Sequence, residues 1–445
     1  MHPLLTHLTD QFTTHQDRLA NARLFVAVSG GRDSLALTHA CGELHKMGVL
    51  PSLPTLIHVN HQMQSASDEW ANQVAQFAKR HGFVHHIKPV NVAGGSENAA
   101  RQARFKAFFE LMNDSDVLLL AHHADDQAET MLMRLINGAG VAGLSAMKPW
   151  QIKQNPAIND DTSTRSSHHN TQANSIHLFR PCLGARRAIL TDYCHAHHLD
   201  YIDDPTNIAG DNTRSVLRRE ILPIFNQLNP QAVSNIARSA AHVQAAQGFV
   251  NDGVALALAA CTDVQSFTPT NVLYLDNIYE HRLHIPTWQA AHQAIKPLIL
   301  QKFIQNNSPL PCDGRLLERA AHLMNRTDND HATTLYWQGA DEAVVLVRYD
   351  DVLYRYRMDF WQALQGEFVW RDRVFISLDE PHISIATPMN STPSKLHRHD
   401  KVSYRQQQLA GKKLAQTLRI PPWLREHLWL VDGKIVSVGR VWGLD

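Results

Sequence analysis

Leu24-Phe25-Val26-Ala27-Val28 runs directly into Ser29-Gly30-Gly31-Arg32-Asp33-Ser34, and this junction decides the fold. Five apolar residues closed by Ser-Gly-Gly read as a buried parallel strand. A helix from Leu35 to Lys46 follows. Glycines 30 and 31 permit positive φ and let backbone amides come close to a ligand. Amides at the start of a helix suit an anion such as a phosphate. Ser29 and Ser34 add hydroxyls. Asp33 is a poor phosphate neighbour unless a Mg²⁺ lies between, so it points to a metal-bound nucleotide. Neither a G-x4-G followed by Lys-Ser/Thr nor G-x-G-x-x-G is present. The plainer alternative is a Gly-Gly turn with a serine cap.

Outward from this junction the pattern repeats to about residue 145. Leu56-Ile57-His58-Val59 reads as a second strand and His86 to Val90 as a third. Val117-Leu118-Leu119-Leu120-Ala121 reads as a fourth. Between them stand a helix from Ser67 to His81, with Trp70, Val74, Phe77 and Ala78 on one stripe and Gly82 as its stop, and a helix capped by Ser96. Such βα units predict a doubly wound parallel sheet with ligands at the carboxyl ends of its strands. The residues at those ends are Ser29 to Ser34, then His58, Asn60 and His61, then His122 and His123 with Asp125, Asp126, Glu129 and Thr130. On the helix that begins there, Asp126, Glu129 and Thr130 share a face and are expected to point together into the cleft. Such a carboxylate pair suits Mg²⁺ binding or deprotonation of an amine. A capped helix start is the alternative, and is expected to account for part of Asp125.

The rest of the chain is less regular. Residues 151–177 hold 11 Asn, Ser or Thr in 27 and read as a polar surface insertion. Helices are expected over 186–199, 214–228 and 233–260, with short strands at 342–348 and 434–438. The expected domains are 1–219, a mostly helical 220–345, and a small α+β domain at 350–445. With 44% hydrophobic and 19% charged residues, 445 residues describe a globular chain of several domains. Lysine plus arginine equals aspartate plus glutamate, 42 each, so any nucleic-acid signal must be local. Residues 395–425 supply one, with eight Lys or Arg against a single Asp400, and with Tyr404 and Trp423 interleaved. Five scattered cysteines without Cys-x-x-Cys argue against a disulfide framework, and no signal or spanning segment is read, so a cytoplasmic place is expected. Cys194-His195-x-His197-His198 invites zinc, but it falls on one expected helix with no second ligand group nearby, and no zinc is expected.

Ser-Gly-Gly-x-Asp-Ser resembles the phosphate loop of the N-type ATP pyrophosphatases, the PP-loop superfamily. Ala121-His-His-Ala-Asp-Asp-Gln-Ala-Glu-Thr130 with Gly138-Ala-Gly-Val-Ala-Gly-Leu-Ser-Ala-Met147 narrows the resemblance to the tRNA(Ile)-lysidine synthetase family, long form. It extends through Glu97-Asn-Ala-Ala-Arg101-Gln-Ala-Arg104-Phe105, Arg180-Pro181, Asp203-Asp204-Pro205-Thr206-Asn207, Arg214-Ser-Val-Leu-Arg218-Arg219, Arg348-Tyr349 and Ile420-Pro-Pro-Trp-Leu-Arg425. Ser215 where the family usually has Asn, Phe105 where Tyr is common, and the long insertion depart from the pattern. The resemblance implies an ATP-dependent ligase that forms a carbon–nitrogen bond. It adenylates the 2-oxygen of the wobble cytidine of a tRNA(Ile) with a CAU anticodon, then displaces AMP with the ε-amine of free lysine. It implies ATP on Ser29, Gly30, Gly31, Arg32, Asp33 and Ser34, with Asp33 near Mg²⁺. Asp126 and Glu129 are expected to handle metal or lysine, and Arg101 and Arg104 the developing phosphate charge. His58, Asn60, His61, His122 and His123 are expected around the cleft. Arg214, Arg218, Arg219, Lys412, Lys413 and Arg425 are expected on tRNA. A tRNA thiolation enzyme on the same scaffold, for which no paired cysteines are placed, and a catalytically silent tRNA-binding protein are the alternatives.

Overall fold

The computed structural model describes residues 1–62, 66–92, 97–155, 175–202, 213–263, 280–306, 308, 310, 312–327, 333–340, 342–365, 368–371, 374–377, 384–386, 394–431, 434–437 and 440–443. Ser96, Asp203 to Asn207 and most of the polar insertion lie outside them. By packing, the chain divides into two compact units, Met1–Phe249 and Val250–Asp445. The division falls within one helix, Ala232–Thr262.

The first unit is built on six strands in the order β3-β2-β1-β4-β6-β5: β1 (Leu24–Ala27), β2 (Thr55–Asn60), β3 (His85–Pro89), β4 (Val117–Leu119), β5 (Trp150–Gln154) and β6 (Ser175–Phe179). All neighbours run parallel except β5 with β6. The helices are α1 (Pro3–Thr14), α2 (Gln16–Leu19), α3 (Arg32–Lys46), α4 (Ser67–His81), α5 (Glu97–Leu111), α6 (Ala124–Ile136), α7 (Val141–Leu144) and α8 (Arg187–Ala196). Period-2 alternation splits the apolar strands between two cores. Leu24, Val26, Leu56, Val117, Leu119 and Phe179 face a core with Leu4, Leu8, Leu37, Leu44 and Leu190. Phe25, Ile57, Leu118, Ile176 and Leu178 face another with Phe108 and Phe109 of α5. A sheet buried on both faces needs such unbroken apolar strands. Gly82 ends α4 in a left-handed cap (φ +75°), its N–H turned back to Ala78 and Lys79 carbonyls.

The expected insertion is shorter than 151–177. Residues 151–154 and 175–177 are strand, pairing Trp150 with Phe179 and Ile152 with His177 in an antiparallel hairpin at the sheet edge. Ile176 and Leu178 are buried while Gln151 and Ile152 are exposed. An edge strand with one wet face carries too weak an alternation to stand out from polar surroundings.

In the second unit an antiparallel sheet runs β7-β10-β9-β8, with β7 Glu280–His284, β8 Thr334–Gln338, β9 Ala343–Tyr349 and β10 Val352–Arg357. Its two faces again bury different cores. Leu346 and Leu353 join Ile299, Phe303 and Leu316 from flanking helices. Val345, Val347, Tyr354 and Tyr356 join Leu396, Leu414, Ile420 and Leu424. Arg348-Tyr349 and Leu353-Tyr354 are thus the two arms of one hairpin, paired through Leu353 and Arg348. Among the described residues, no helix is long and apolar enough to cross a membrane.

Candidate active site

The strand order reverses at β1, which lies between β2 and β4, and a crevice at such a switch point is where open α/β sheets bind ligands. A cavity of about 510 Å³ opens there, lined by Ser29, Gly31, Asp33 and Ser34 from the β1–α3 loop. His58, Asn60 and His61 line it from β2, and Ala121 and His122 from the end of β4. Trp70, Phe108 and Ile202 add apolar wall. Trp70 therefore does not belong to the buried stripe of α4, which is Ala71, Val74 and Ala78.

The loop is held open by its own hydroxyls. The Ser34 hydroxyl donates to the Gly31 carbonyl (2.9 Å) and accepts from the Ser29 N–H (3.2 Å), while the Gly31 N–H donates to the Ser29 hydroxyl (3.2 Å). Gly30 has φ +88°, and a Cβ there would meet the Ile202 side chain at 2.5 Å. Ile202 is a partner that sequence reasoning missed. Its N–H donates to the Gly30 carbonyl at 3.0 Å and it bridges Gly31 in parallel, so the chain after α8 is laid along the loop. Its one sequence signal is its place just ahead of the Asp203-Asp204-Pro205 motif.

Asp33 is anionic. Burial alone would raise its carboxyl, but His123, Arg32 and Arg187 outweigh this and hold it at about 2. Arg32 Nε donates to Asp33 at 3.2 Å. Arg187, at the start of α8, was also missed; with Arg32 it is one of two guanidinium groups that lower Asp33.

The strand-end histidines divide by role. His58 is buried and its Nδ1 lies 2.8 Å from the Val28 carbonyl, which ties β2 to the phosphate loop. Asn60 donates to Asp68 at 2.7 Å and accepts from the Gln62 N–H at 2.9 Å. His61 and His122 each hold a buried Nδ1 with no hydrogen-bond partner. Both line the cavity. Burial lowers both from the usual histidine range, His122 to about 4, so both present neutral imidazole. His123 does not line the cavity. It is the N-cap of α6: the Asp126 N–H donates to its Nδ1 (3.3 Å) and the His123 N–H donates to Asp126 Oδ2 (3.2 Å), a reciprocal capping box. Burial would lower His123, but Asp33, Asp126 and Asp125 outweigh it and raise its pKa.

Asp126 and Glu129 of α6 share a face, as expected, but that face meets Arg214 and Arg218 and does not line the cavity. Asp125 accepts from the Arg186 guanidinium (3.2 and 3.3 Å) and the Arg187 N–H (2.8 Å), so it fastens α8, and the cap belongs to Asp126. Neither Asp126 nor Glu129 is among the residues lining the cavity. Glu129 is 1% exposed and accepts from Arg214 Nε (2.8 Å), Arg218 Nε (2.7 Å) and Arg218 Nη2 (2.9 Å). Asp126 Oδ1 lies 3.6 Å from Arg218 and 3.9 Å from Arg214. Thr130 turns back to the Asp126 carbonyl at 2.8 Å. The two arginines come from a helical run, Thr213–Val216, then Leu217–Ile221, then Leu222–Leu228. The middle stretch is a π turn. Pro223 cannot donate a backbone hydrogen bond, and the helix ahead of it widens. Ala128 and Leu132 of α6 pack on Leu222, Phe225 and Val233, which brings the arginines onto Glu129. Arg214 and Arg218 are thus committed to acids here and do not form an open basic patch. Arg219 is exposed and, among the described residues, pairs with its neighbour Glu220.

Arg104 lines the cavity, with its Nε 3.4 Å from His61 Nε2. Arg101 lies outside the lining, over the Phe105 ring at 5.5 Å. Lys412 and Lys413 are exposed on the helix Gly411–Thr417. Arg425 is half-buried and donates to the Ile420 carbonyl (2.8 Å) and the Tyr349 hydroxyl (3.0 Å). Trp423 is likewise used by the fold: its indole donates to Tyr356 at 3.1 Å and its ring packs on Tyr354 and Trp361. The basic stripe thus keeps its lysines for solvent and gives part of its aromatic and arginine content to the core. All five cysteines are buried and free. Among the described residues no three His, Cys, Asp or Glu stand as a metal cluster.

A family model for the PP-loop domain matches residues 4–225, which contain the loop, the cavity and the Glu129 arginines. The tRNA(Ile)-lysidine synthase of Psychrobacter sp. is 40% identical over 370 residues, covering 80% of this chain and 67% of the relative. That of Pseudomonas aeruginosa is 31% identical over 452 residues, covering 94% and 90%. That of Legionella pneumophila (strain Lens) is 27% identical over 428 residues, covering 92% and 88%. With a phosphate loop at the switch point and relatives matched along most of both chains, this protein belongs to the tRNA(Ile)-lysidine synthase family, ATP-dependent ligases that modify tRNA on a PP-loop domain.

Proposed function

We propose that the enzyme transfers AMP from ATP to the 2-oxygen of the wobble cytidine of a tRNA(Ile) with a CAU anticodon, then replaces AMP by the ε-amine of free lysine. The oxygen is a poor leaving group until adenylated. The observation that carries this reading is the cavity itself, which joins an open Ser-Gly-Gly loop, an anionic Asp33 and an apolar wall of Trp70, Phe108 and Ile202. The loop suits the phosphates and the wall suits adenine. Asp33 is the group that would hold a Mg²⁺, whose charge would offset that of the departing pyrophosphate. One protein carboxylate with phosphate oxygens fits an ion that seldom takes an all-protein cage. Arg104, on the cavity wall, is assigned to phosphate charge; Arg101, on the same helix, is assigned to the approach of RNA.

Lysine brings two ammonium groups and one carboxylate. Asp126 and Glu129 offer two carboxylates, and Arg214 and Arg218 two guanidinium groups, in one ion-paired cluster. Lysine would bind by exchanging these partners, its carboxylate taking a guanidinium and freeing an acid for an ammonium. The neutral imidazoles of His61 and His122 can accept a proton from a reacting amine. Residues 220–345 and 350–445 are assigned to tRNA, with Lys412, Lys413, Arg219 and Arg425 as its candidate contacts. The place of action would be the cytoplasm.

The test is Asp33→Asn, incubated with ATP and tRNA(Ile) transcript, with pyrophosphate release and lysine incorporation both measured. Neither product is expected. Lysine incorporation near the wild-type rate would remove Asp33 from the ATP site.

A further inference from the structure

We propose that His123 is a positioning residue for the adenylation step, fixing the direction of the Asp33 carboxylate although it lies outside the cavity. The inference rests on the assignment of Asp33 to the ATP site.

Three observations carry it. First, the cap decides the tautomer. Nδ1 of His123 accepts the Asp126 N–H, so it must offer a lone pair, and the ring proton sits on Nε2. Second, Nε2 has two acceptors at equal reach. It lies 3.5 Å from Asp33 Oδ2 and 3.5 Å from Asp126 Oδ2. The side chain is only 2% exposed, so water offers little alternative to this fork. Third, the fork is one link of a longer chain. Asp126 Oδ1 faces Arg218 and Arg214, and these hold Glu129. An unbroken line of alternating acid and base therefore runs from the phosphate loop to the buried cluster on α6.

The arrangement explains why adjacent histidines differ. His122 lines the cavity and leaves its buried Nδ1 without a hydrogen-bond partner, whereas His123 has both nitrogens engaged. A residue that only capped α6 would not need a second nitrogen aimed at Asp33. Asparagine is among the best N-caps, but its side chain ends where the imidazole Nδ1 stands. Glutamine reaches the position of Nε2 and is a poor cap. Two substitutions thus separate the two roles.

The experiment compares His123→Asn, His123→Gln and the wild type. Thermal unfolding is measured for each, with kcat and KM for ATP in tRNA-dependent pyrophosphate release. His123→Asn is expected to unfold within about 2 °C of wild type because the cap survives. Its kcat is expected to fall about 10- to 100-fold, the usual loss when a supporting group behind a site is removed. His123→Gln is expected to be less stable yet faster than His123→Asn, because its amide restores the donor to Asp33. A folded His123→Asn with wild-type kcat overturns the proposal, as does a folded His123→Gln no faster than His123→Asn. Nitrogen-15 spectra of labelled histidine give a readout independent of turnover. Asp33→Asn should shift the Nε2 resonance of His123 and leave its Nδ1 in the unprotonated range; an unmoved Nε2 refutes the contact. A wild type without pyrophosphate release would count against the proposed reaction, and these spectra would still decide the contact.

Discussion

Glu129→Gln tests whether the buried cluster is as tightly paired as its geometry implies. The change keeps size and one acceptor oxygen but removes a charge that takes three hydrogen bonds of 2.7 to 2.9 Å from Arg214 and Arg218. Deleting one member of a buried ion pair costs about 3–5 kcal/mol, because the partner is left charged and unpaired. Here the arginines are 39% and 29% exposed, and Asp126 stands within 4 Å of both, so water and a second acid take up part of the loss. The loss is therefore reduced to about 2–3 kcal/mol. For a unit the size of Met1–Phe249 this lowers Tm by about 4–12 °C. Calorimetry at low and moderate salt measures it, alongside pyrophosphate release and lysine incorporation. If the cluster serves lysine, incorporation falls further than pyrophosphate release. A Tm within about 1 °C of wild type would refute the pairing. Equal loss of both products in a folded variant would place Glu129 with ATP.

Gly30→Ala puts a Cβ at φ +88° and 2.5 Å from Ile202, a strain of about 1–3 kcal/mol. ATP affinity by calorimetry should fall about tenfold or more, and an unchanged Kd would mean the loop tolerates a side chain there. His39, 9% exposed and lowered to about 4 by burial and then by His197 and His81, is neutral in the fold and charges on unfolding. Its contribution is therefore present above pH 6.5 and lost as pH falls toward 4, about 2 kcal/mol of it by pH 5. His39→Gln should flatten the urea-measured stability between pH 7.5 and 5 by about that amount; an identical slope would show that His39 titrates normally. Lys412→Ala with Lys413→Ala, both exposed, should reduce the salt slope of tRNA binding by up to ~2, and no change in slope would leave these lysines off the RNA.

The fold was legible wherever burial forced a single periodicity. Leu24 to Val28 and Val117 to Leu120 are buried on both sides of the sheet, so nothing but apolar residues fits, and the run itself marks the strand. Ser67–His81 matches its expected span because Gly82 supplies the left-handed stop that an L-residue resists. Legibility failed at β5 and β6. There β5 is the edge strand with one face wet, β6 is its inner neighbour, and their polar residues blend into the sequence between them.

The site shows the same division between residue type and partnership. Ser29 to Ser34 could be found from sequence because a tight turn, a helix start and two hydroxyls must be consecutive to cradle an anion. The roles of Asp126 and Glu129 could not, since spacing on a helix says which residues share a face but not what covers it. That face is covered by a helix some 85 residues downstream, and the π turn ahead of Pro223 sets where Arg214 and Arg218 arrive. A carboxylate that looks available in one dimension is thereby neutralised in three. Two of the arginines read as an RNA-facing patch are the groups that neutralise it. The charge pattern of residues 214–219 thus has two uses. Arg219 keeps an exposed guanidinium beside Glu220, whereas Arg214 and Arg218 link the buried Glu129 to the phosphate loop through Asp126 and His123.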